Sequence, residues 1–185
     1  EDYRFLVGNG ADCLMRRMLS HTAGAYTEED VLRLRSVYDD LYGADPMREV
    51  KEYPGLFIVL RTLKQQGIRL AVLSNKPDRD ACAVVSHLFP ENFFACCYGQ
   101  REEIPRKPAP DGALLIAKEL GIAPQNCLYI GDSGVDMETG RAAGMRTVGV
   151  LWGFRDKEEL MEHGANALAK APEDLLLLAG MEKPQ

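Results

Sequence analysis

A chain of 185 residues with 46% hydrophobic and 27% charged side chains suits one globular domain, or a core with a small accessory one. Its net charge of −6 offers no basic stripe to a nucleic-acid backbone, and no apolar run reaches the ~20 residues of a membrane-spanning helix. An anionic ligand would therefore need local positive charge, from a divalent cation or one or two lysines, to offset the protein's own field.

The opening Glu1-Asp2-Tyr3-Arg4 has no signal-peptide pattern. The cysteines (Cys13, Cys82, Cys96, Cys97 and Cys127) show no CxxC spacing and read as reduced, mostly buried thiols of a cytoplasmic protein. His21, His87 and His163 lie far apart, suggest no zinc site, and are expected on the surface or in an accessory region.

Residues 8–45 read as helical. Leu14, Met15, Met18 and Leu19 recur at helical spacing, Thr27-Glu28-Glu29-Asp30 resembles a capping box, and Val31, Leu34, Tyr38, Leu41 and Tyr42 trace one apolar face as far as Gly43. Tyr53-Pro54-Gly55 breaks the pattern, which predicts a small helical region over 1–50 and a larger domain over 51–185. In that domain helix and strand alternate. Helices are predicted over 56–66, 78–88, 111–120, 135–143, 157–162 and 172–179, and strands over 69–73, 96–99, 127–130 and 147–151. Such alternation implies an α/β fold with a doubly wound, mostly parallel sheet, and ligands then bind outside the carboxyl ends of the strands.

Three polar clusters fall at those ends. Ser74-Asn75-Lys76 follows the first strand, where a hydroxyl and an amide can hold a phosphate oxygen; the same residues would equally serve as a helix cap or Asx turn. Lys107 precedes Pro108 and Pro110 on a stiff loop, so its ammonium can be aimed at developing phosphoryl charge; in isolation it reads as a solvated turn lysine. In Gly131-Asp132-Ser133-Gly134-Val135-Asp136 a strand delivers Asp132 and the next helix opens with Asp136. Two carboxylates so placed suit magnesium, which takes one or two carboxylates plus waters and substrate oxygens; capping and the helix dipole are the plainer alternative. Hydroxyl, lysine and acid pair each following a separate strand, in that order, make the three signals stronger together than apart.

In that order Ser74-Asn75, Lys107 and Gly-Asp-Ser-x-x-Asp resemble motifs two to four of the haloacid dehalogenase-like phosphatases, with a Rossmann-like core and a helical cap. Phe5-Leu6-Val7-Gly8-Asn9-Gly10-Ala11, Tyr53-Pro54-Gly55, Ser74-Asn75-Lys76-Pro77, Arg106-Lys107-Pro108 and Ala142-Ala143-Gly144-Met145 are similar to its phosphoglycolate phosphatase subgroup. The resemblance implies that Ser74 binds the transferring phosphoryl group with Asn75 supporting its loop, and that Lys107 bridges phosphoryl oxygens and the attacking carboxylate. Asp132 would ligate Mg2+, and Asp136 would order the metal's waters or the lysine. Residues 1–50 would be the distal part of the cap, with Asn9 and Arg16 weighed as substrate contacts against a surface role. As a loop lysine, Lys107 is expected to add little to the core.

The family's first motif is an Asp-x-Asp pair at the end of the first core strand, whose first Asp is the nucleophile. No predicted strand here ends on such a pair: Asp78 and Asp80 open a helix, and Asp39, Asp40 and Asp45 lie on or beside cap helices. The nucleophile is therefore expected in a segment before Glu1, and without its strand the sheet would have two unpaired edges. The implied function is a magnesium-dependent phosphatase for a small phosphorylated metabolite, 2-phosphoglycolate among them. Alternatives are a sugar-phosphate mutase, a pyrophosphatase, and a non-catalytic binding module or inactive truncated form; the acid-rich loop disfavours a dehalogenase.

Overall fold

A computed structural model describes residues 6–7, 10–45 and 47–181, and the chain divides into two compact units, Glu1–Val50 and Lys51–Gln185. The first unit pairs α1 (Ala11–Thr22) with α2 (Glu28–Ala44). The helical stretch expected over 8–45 is interrupted at 23–27, where Gly24 takes φ 73° and Thr27 opens α2. The expected capping box is present: Thr27 N donates to Asp30 Oδ2 at 2.9 Å and Asp30 N to Thr27 Oγ1 at 3.2 Å. Met15 and Val31 are buried, and Arg35 of α2 ties the helices through Asp12 of α1 at 2.5 Å while pairing along its own helix with Asp39 at 2.8 Å.

The second unit runs α3 (Leu56–Gln65), β1 (Ala71–Pro77), α4 (Asp78–Leu88), β2 (Cys96–Gln100), α5 (Asp111–Leu120), β3 (Leu128–Gly131), α6 (Gly134–Ala142), β4 (Arg146–Val150), α7 (Lys157–Glu162), β5 (Ala167–Ala169) and α8 (Asp174–Leu178). Every paired strand is parallel: β1 with β2, and β4 between β3 and β5. Helices cover both faces because β4 alternates. Val148 and Val150 pack with Val59 and Leu63 of α3 and Leu175 and Leu176 of α8. Gly149 lies under Leu160 of α7, and Thr147 touches Gly140 of α6. This is the doubly wound α/β fold that the sequence predicts.

The sheet is in two pieces, since among the described residues β1 pairs only with β2, and β3 only with β4, which leaves the two unpaired edges that the sequence reading expects. The structure departs from expectation in two places. The first strand runs past residue 73 to Pro77, taking in Ser74, Asn75 and Lys76, because β2 continues alongside to Gln100. Finally, β5 was not anticipated: three residues, Ala-Leu-Ala, are too short to show alternation, and they are strand only because Val148, Gly149 and Val150 offer them an edge.

Candidate active site

The β1 ladder breaks where Ser74, Asn75 and Lys76 sit. Leu73 faces Tyr98 and Pro77 faces Gln100, so four steps along β1 match two along β2, an irregularity that re-aims side chains at a strand's end. Ser74 Oγ accepts from Lys76 N at 3.1 Å, which folds the turn on itself. Gly99 lets β2 approach this turn, since a Cβ there would lie 2.7 Å from Lys76 O and 2.4 Å from Asp78 Cα. Asp78 then fastens the turn, accepting from Gly99 N and Arg101 Nε, each at 2.9 Å. Hydrogen bonding from Arg101, then from Gly99 N, holds the Asp78 carboxyl below its usual range. Asp78 is thus a bracket for the Ser74 turn, in keeping with its exclusion as nucleophile.

Asn75 reaches across to the lysine loop. Its Nδ2 donates to Lys107 O at 3.1 Å and its Oδ1 accepts from Lys107 N at 3.0 Å, an amide clamp that ties β1 to the lysine loop. From there Lys107 Nζ donates to Leu73 O at 3.3 Å and meets Asp136 Oδ1 at 2.7 Å. The ammonium therefore spans the gap between the β1–β2 piece and the α6 helix that follows β3. Its side chain is 14% exposed and that of Asp136 9%, so the pair is buried. Burial by itself would lower the Lys107 ammonium, but the Asp136 carboxylate, with Tyr129 and Asp132 behind it, raises it above the ordinary lysine value. The expectation that Lys107 adds little to the fold is corrected here: its partner is a buried carboxylate, which its removal would leave uncompensated. Burial likewise pushes the neighbouring Tyr129 hydroxyl up to about 12, so it stays protonated beside them.

The acidic turn is built around Asp136. Its Oδ2 accepts from Ser133 Oγ at 2.6 Å and Asp132 N at 3.3 Å, and Ser133 caps α6. Gly131 is required by this closure, because a Cβ there would lie 2.2 Å from Asp136 Cβ. Asp132 Oδ2 accepts from Phe154 N at 3.0 Å. Burial raises the Asp132 carboxyl above its usual range, outweighing the Phe154 hydrogen bond. A carboxylate at a strand's end whose charge is disfavoured by its surroundings suits a hard cation. The described residues hold no cluster of three His, Cys, Asp or Glu side chains able to form a metal cage by themselves. Magnesium, which binds through few carboxylates, fits this donor set better than a metal needing a full cage.

These features are those of a known family. A haloacid dehalogenase-like hydrolase model matches residues 1–144. The chain belongs to the haloacid dehalogenase-like hydrolases. It is 32% identical over 174 residues to a phosphoglycolate phosphatase of Pseudomonas putida, covering 93% of this chain and 61% of that protein, so it spans about three fifths of that relative. The phosphoglycolate phosphatase of Escherichia coli K12 is 30% identical over 192 residues, covering 95% of this chain and 76% of the relative. A crystal structure of a candidate phosphoglycolate phosphatase from Lactobacillus delbrueckii subsp. bulgaricus superposes with TM-score 0.87 at 31% identity, covering 95% of this chain and 81% of that one.

Within this haloacid dehalogenase-like core, Ser74, Asn75, Lys107, Asp132 and Asp136 form one chain of contacts, with Leu73 O and Lys107 as its links. Arg16, in the first unit, is exposed and bonded to Glu28 at 2.7 and 3.3 Å. Asn9 lies outside the described residues. No helix among those residues is long and apolar enough to cross a membrane. Cys96 and Cys97 sit in β2, the five cysteines are unbridged, and burial pushes the Cys97 thiol up to about 12, as befits inert packing. His163 is at the surface as expected, its side chain 41% exposed, and it is also engaged: its ring lies over Gly134, and its Nδ1 is 2.7 Å from Glu138 Oε1. Sequence reasoning also missed Gly153 and Phe154, which pack on Asp132 from more than 20 positions away. Proximity of the β3 and β4 ends, which creates that contact, has no signature in local spacing.

Proposed function

We propose that this chain is the greater part of a phosphatase that hydrolyses a small phosphomonoester, with 2-phosphoglycolate the substrate to test first because two relatives carry that activity in their names. One observation carries the reading. Lys107 is fixed between the β1 segment that carries Ser74 and Asn75 and the Asp132–Asp136 turn, which joins the cation to a carboxylate beside a hydroxyl-bearing turn.

Ser74 would donate to a phosphoryl oxygen from the irregular end of β1, and the Asn75 clamp would keep that hydroxyl in register with the lysine. Lys107 would hold positive charge against the oxygens that gain charge during transfer, and its raised proton affinity keeps it cationic throughout the neutral range. Asp136 would orient the lysine. Asp132, at the end of β3, would hold Mg2+, which would supply neutralisation of phosphoryl charge when bound.

A carboxylate nucleophile is not provided by the described residues near Lys107, where Asp132 and Asp136 already have partners. The open edges of β1 and β3 support a strand from outside these residues as its source, in the manner of the family, with an aspartyl-phosphate then hydrolysed by water. Residues 1–50 would serve as a helical cap. The test is phosphate release from a panel of small phosphoesters by the full-length protein, with and without Mg2+. Metal-dependent turnover supports the reading. Metal-dependent binding of phosphate analogues without turnover would assign a binding module instead.

A further inference from the structure

The segment that follows β4 grips the Asp132 turn at two points, and one grip is made by residues with no part in the proposed chemistry. The first grip is Phe154 N on Asp132 Oδ2. In the second, Glu159 Oε1 accepts from Gly134 N at 3.0 Å, and Arg155 Nε lies 3.3 Å from the same oxygen. Gly134 is the first residue of α6, and its N–H is among those a helix leaves without an internal partner. It is closed in by the His163 ring, which a Cβ would meet at 2.6 Å, so no side chain of its own could stabilise the turn.

Glu159 is held for this task. Asp156 caps α7 by accepting from Glu159 N at 2.9 Å, which fixes the backbone from which Glu159 reaches. Arg155, its side chain only 8% exposed, sets the carboxylate's direction and offsets a charge that would otherwise add to those of Asp132 and Asp136. Ser133 caps α6 by accepting from Asp136 N, so the Gly134 N–H is a separate donor whose acceptor comes from outside the helix. The added tie falls two residues from Asp132, on the turn whose direction decides where that carboxylate points.

We infer that Arg155 and Glu159 are positioning residues that hold the Asp132 turn in its metal-binding geometry and so set the protein's affinity for a divalent cation. This rests on the reading of Asp132 as a metal ligand. Partners behind a metal ligand are worth about 10–100-fold in affinity when removed. Without the Glu159 oxygen the Gly134 N–H loses its acceptor, the turn relaxes, and Asp132 samples directions other than the one that binds.

The test is Mn2+ binding to the full-length protein, read from the electron paramagnetic resonance signal of free Mn2+, with circular dichroism and thermal melting on each variant. Glu159→Ala is expected to weaken Mn2+ binding about tenfold or more, whereas Glu159→Gln, whose amide oxygen can still accept from Gly134 N, keeps affinity within about threefold of native. Glu159→Asp retains the charge but is too short for the contact, and should bind as weakly as Glu159→Ala. It also decides the matter if the alanine variant does not fold. Native affinity in Glu159→Asp, or equal weakening by Gln and Asp, would overturn the brace while leaving Asp132 as a ligand. A native protein that binds no Mn2+ would overturn the Asp132 reading itself and the brace with it.

Discussion

Gly153→Ala tests the site through a residue that carries no functional group. A Cβ at this position would lie 2.2 Å from Asp132 Cβ, 2.7 Å from Cγ and 2.5 Å from Oδ2. Carbon atoms rest about 3.5–4.0 Å apart, so a separation of 2.2 Å falls short by at least about 1.3 Å. Gly153 is not among the positive-φ glycines, so its backbone suits any residue and the conflict is purely steric. Two adjustments are open: Asp132 retreats, or the 152–154 segment does and stretches the 3.0 Å bond from Phe154 N. The first displaces the carboxylate by roughly 1 Å, a misplacement that costs about 10²-fold in rate, and the second releases the bond that fixes it. Overpacking should cost about 1–3 kcal/mol of stability as well, a range that leaves a folded protein. The assay is Mg2+-dependent phosphate release by the full-length protein, with the apparent metal constant measured beside turnover and thermal melting as the control for folding. Turnover and metal constant both at native values would refute the claim that Asp132 is fixed by the loop after β4 and acts through that fixed position. Gly43→Ala is the matching control: nothing lies within 4 Å of its Cβ, and in a helix the change should stabilise by about 0.5 kcal/mol.

Asp132→Asn should raise the melting temperature in the absence of metal, because burial disfavours the native charge, and should abolish the stabilisation that Mg2+ gives the native protein; calorimetry with and without Mg2+ checks both. Lys107→Ala should destroy turnover and cost about 3–5 kcal/mol by stranding Asp136, while the double variant Lys107→Met, Asp136→Asn, whose amide oxygen still accepts from Ser133 Oγ and Asp132 N, should recover stability without activity, as denaturant unfolding and phosphate release would show. On the alkaline side, stability should fall from about pH 10 upward as melts are run at rising pH. Both Lys107 and Tyr129 have folded-state proton affinities above their unfolded ones, so the fold holds protons that the unfolded chain has released, and the Lys107 contribution is intact below its ordinary value and lost as pH rises through the raised one. Lys107→Met should flatten that decline.

The sequence alone determined the elements and their order, because helix and strand periods, caps and glycine stops act over a few residues. Asp78–Leu88, Asp111–Leu120 and Lys157–Glu162 begin and end where their patterns do. It also put Ser74, Lys107 and Asp132 after three successive strands, since alternating strands and helices in a parallel sheet deliver such residues to one edge; Asp132 does follow β3 and Lys107 lies in the loop after β2, but Ser74 falls inside β1, at the break in its ladder. Only the tertiary structure decided what those residues touch. Asn75 clamping Lys107, Lys107 reaching Leu73 O and Asp136, and Gly153 with Phe154 closing on Asp132 are contacts between segments some 20 to 35 positions apart. Burial of the lysine was illegible for the same reason. Its loop composition reads as solvated, and the carboxylate that draws it inward comes from a helix whose place beside the loop is set by packing of Ala113 and Ala117 against Tyr129, Ala143 and Met145. The strand Ala167–Ala169 belongs to that category too, since an edge made elsewhere in the sheet, and no preference of its own residues, makes it a strand.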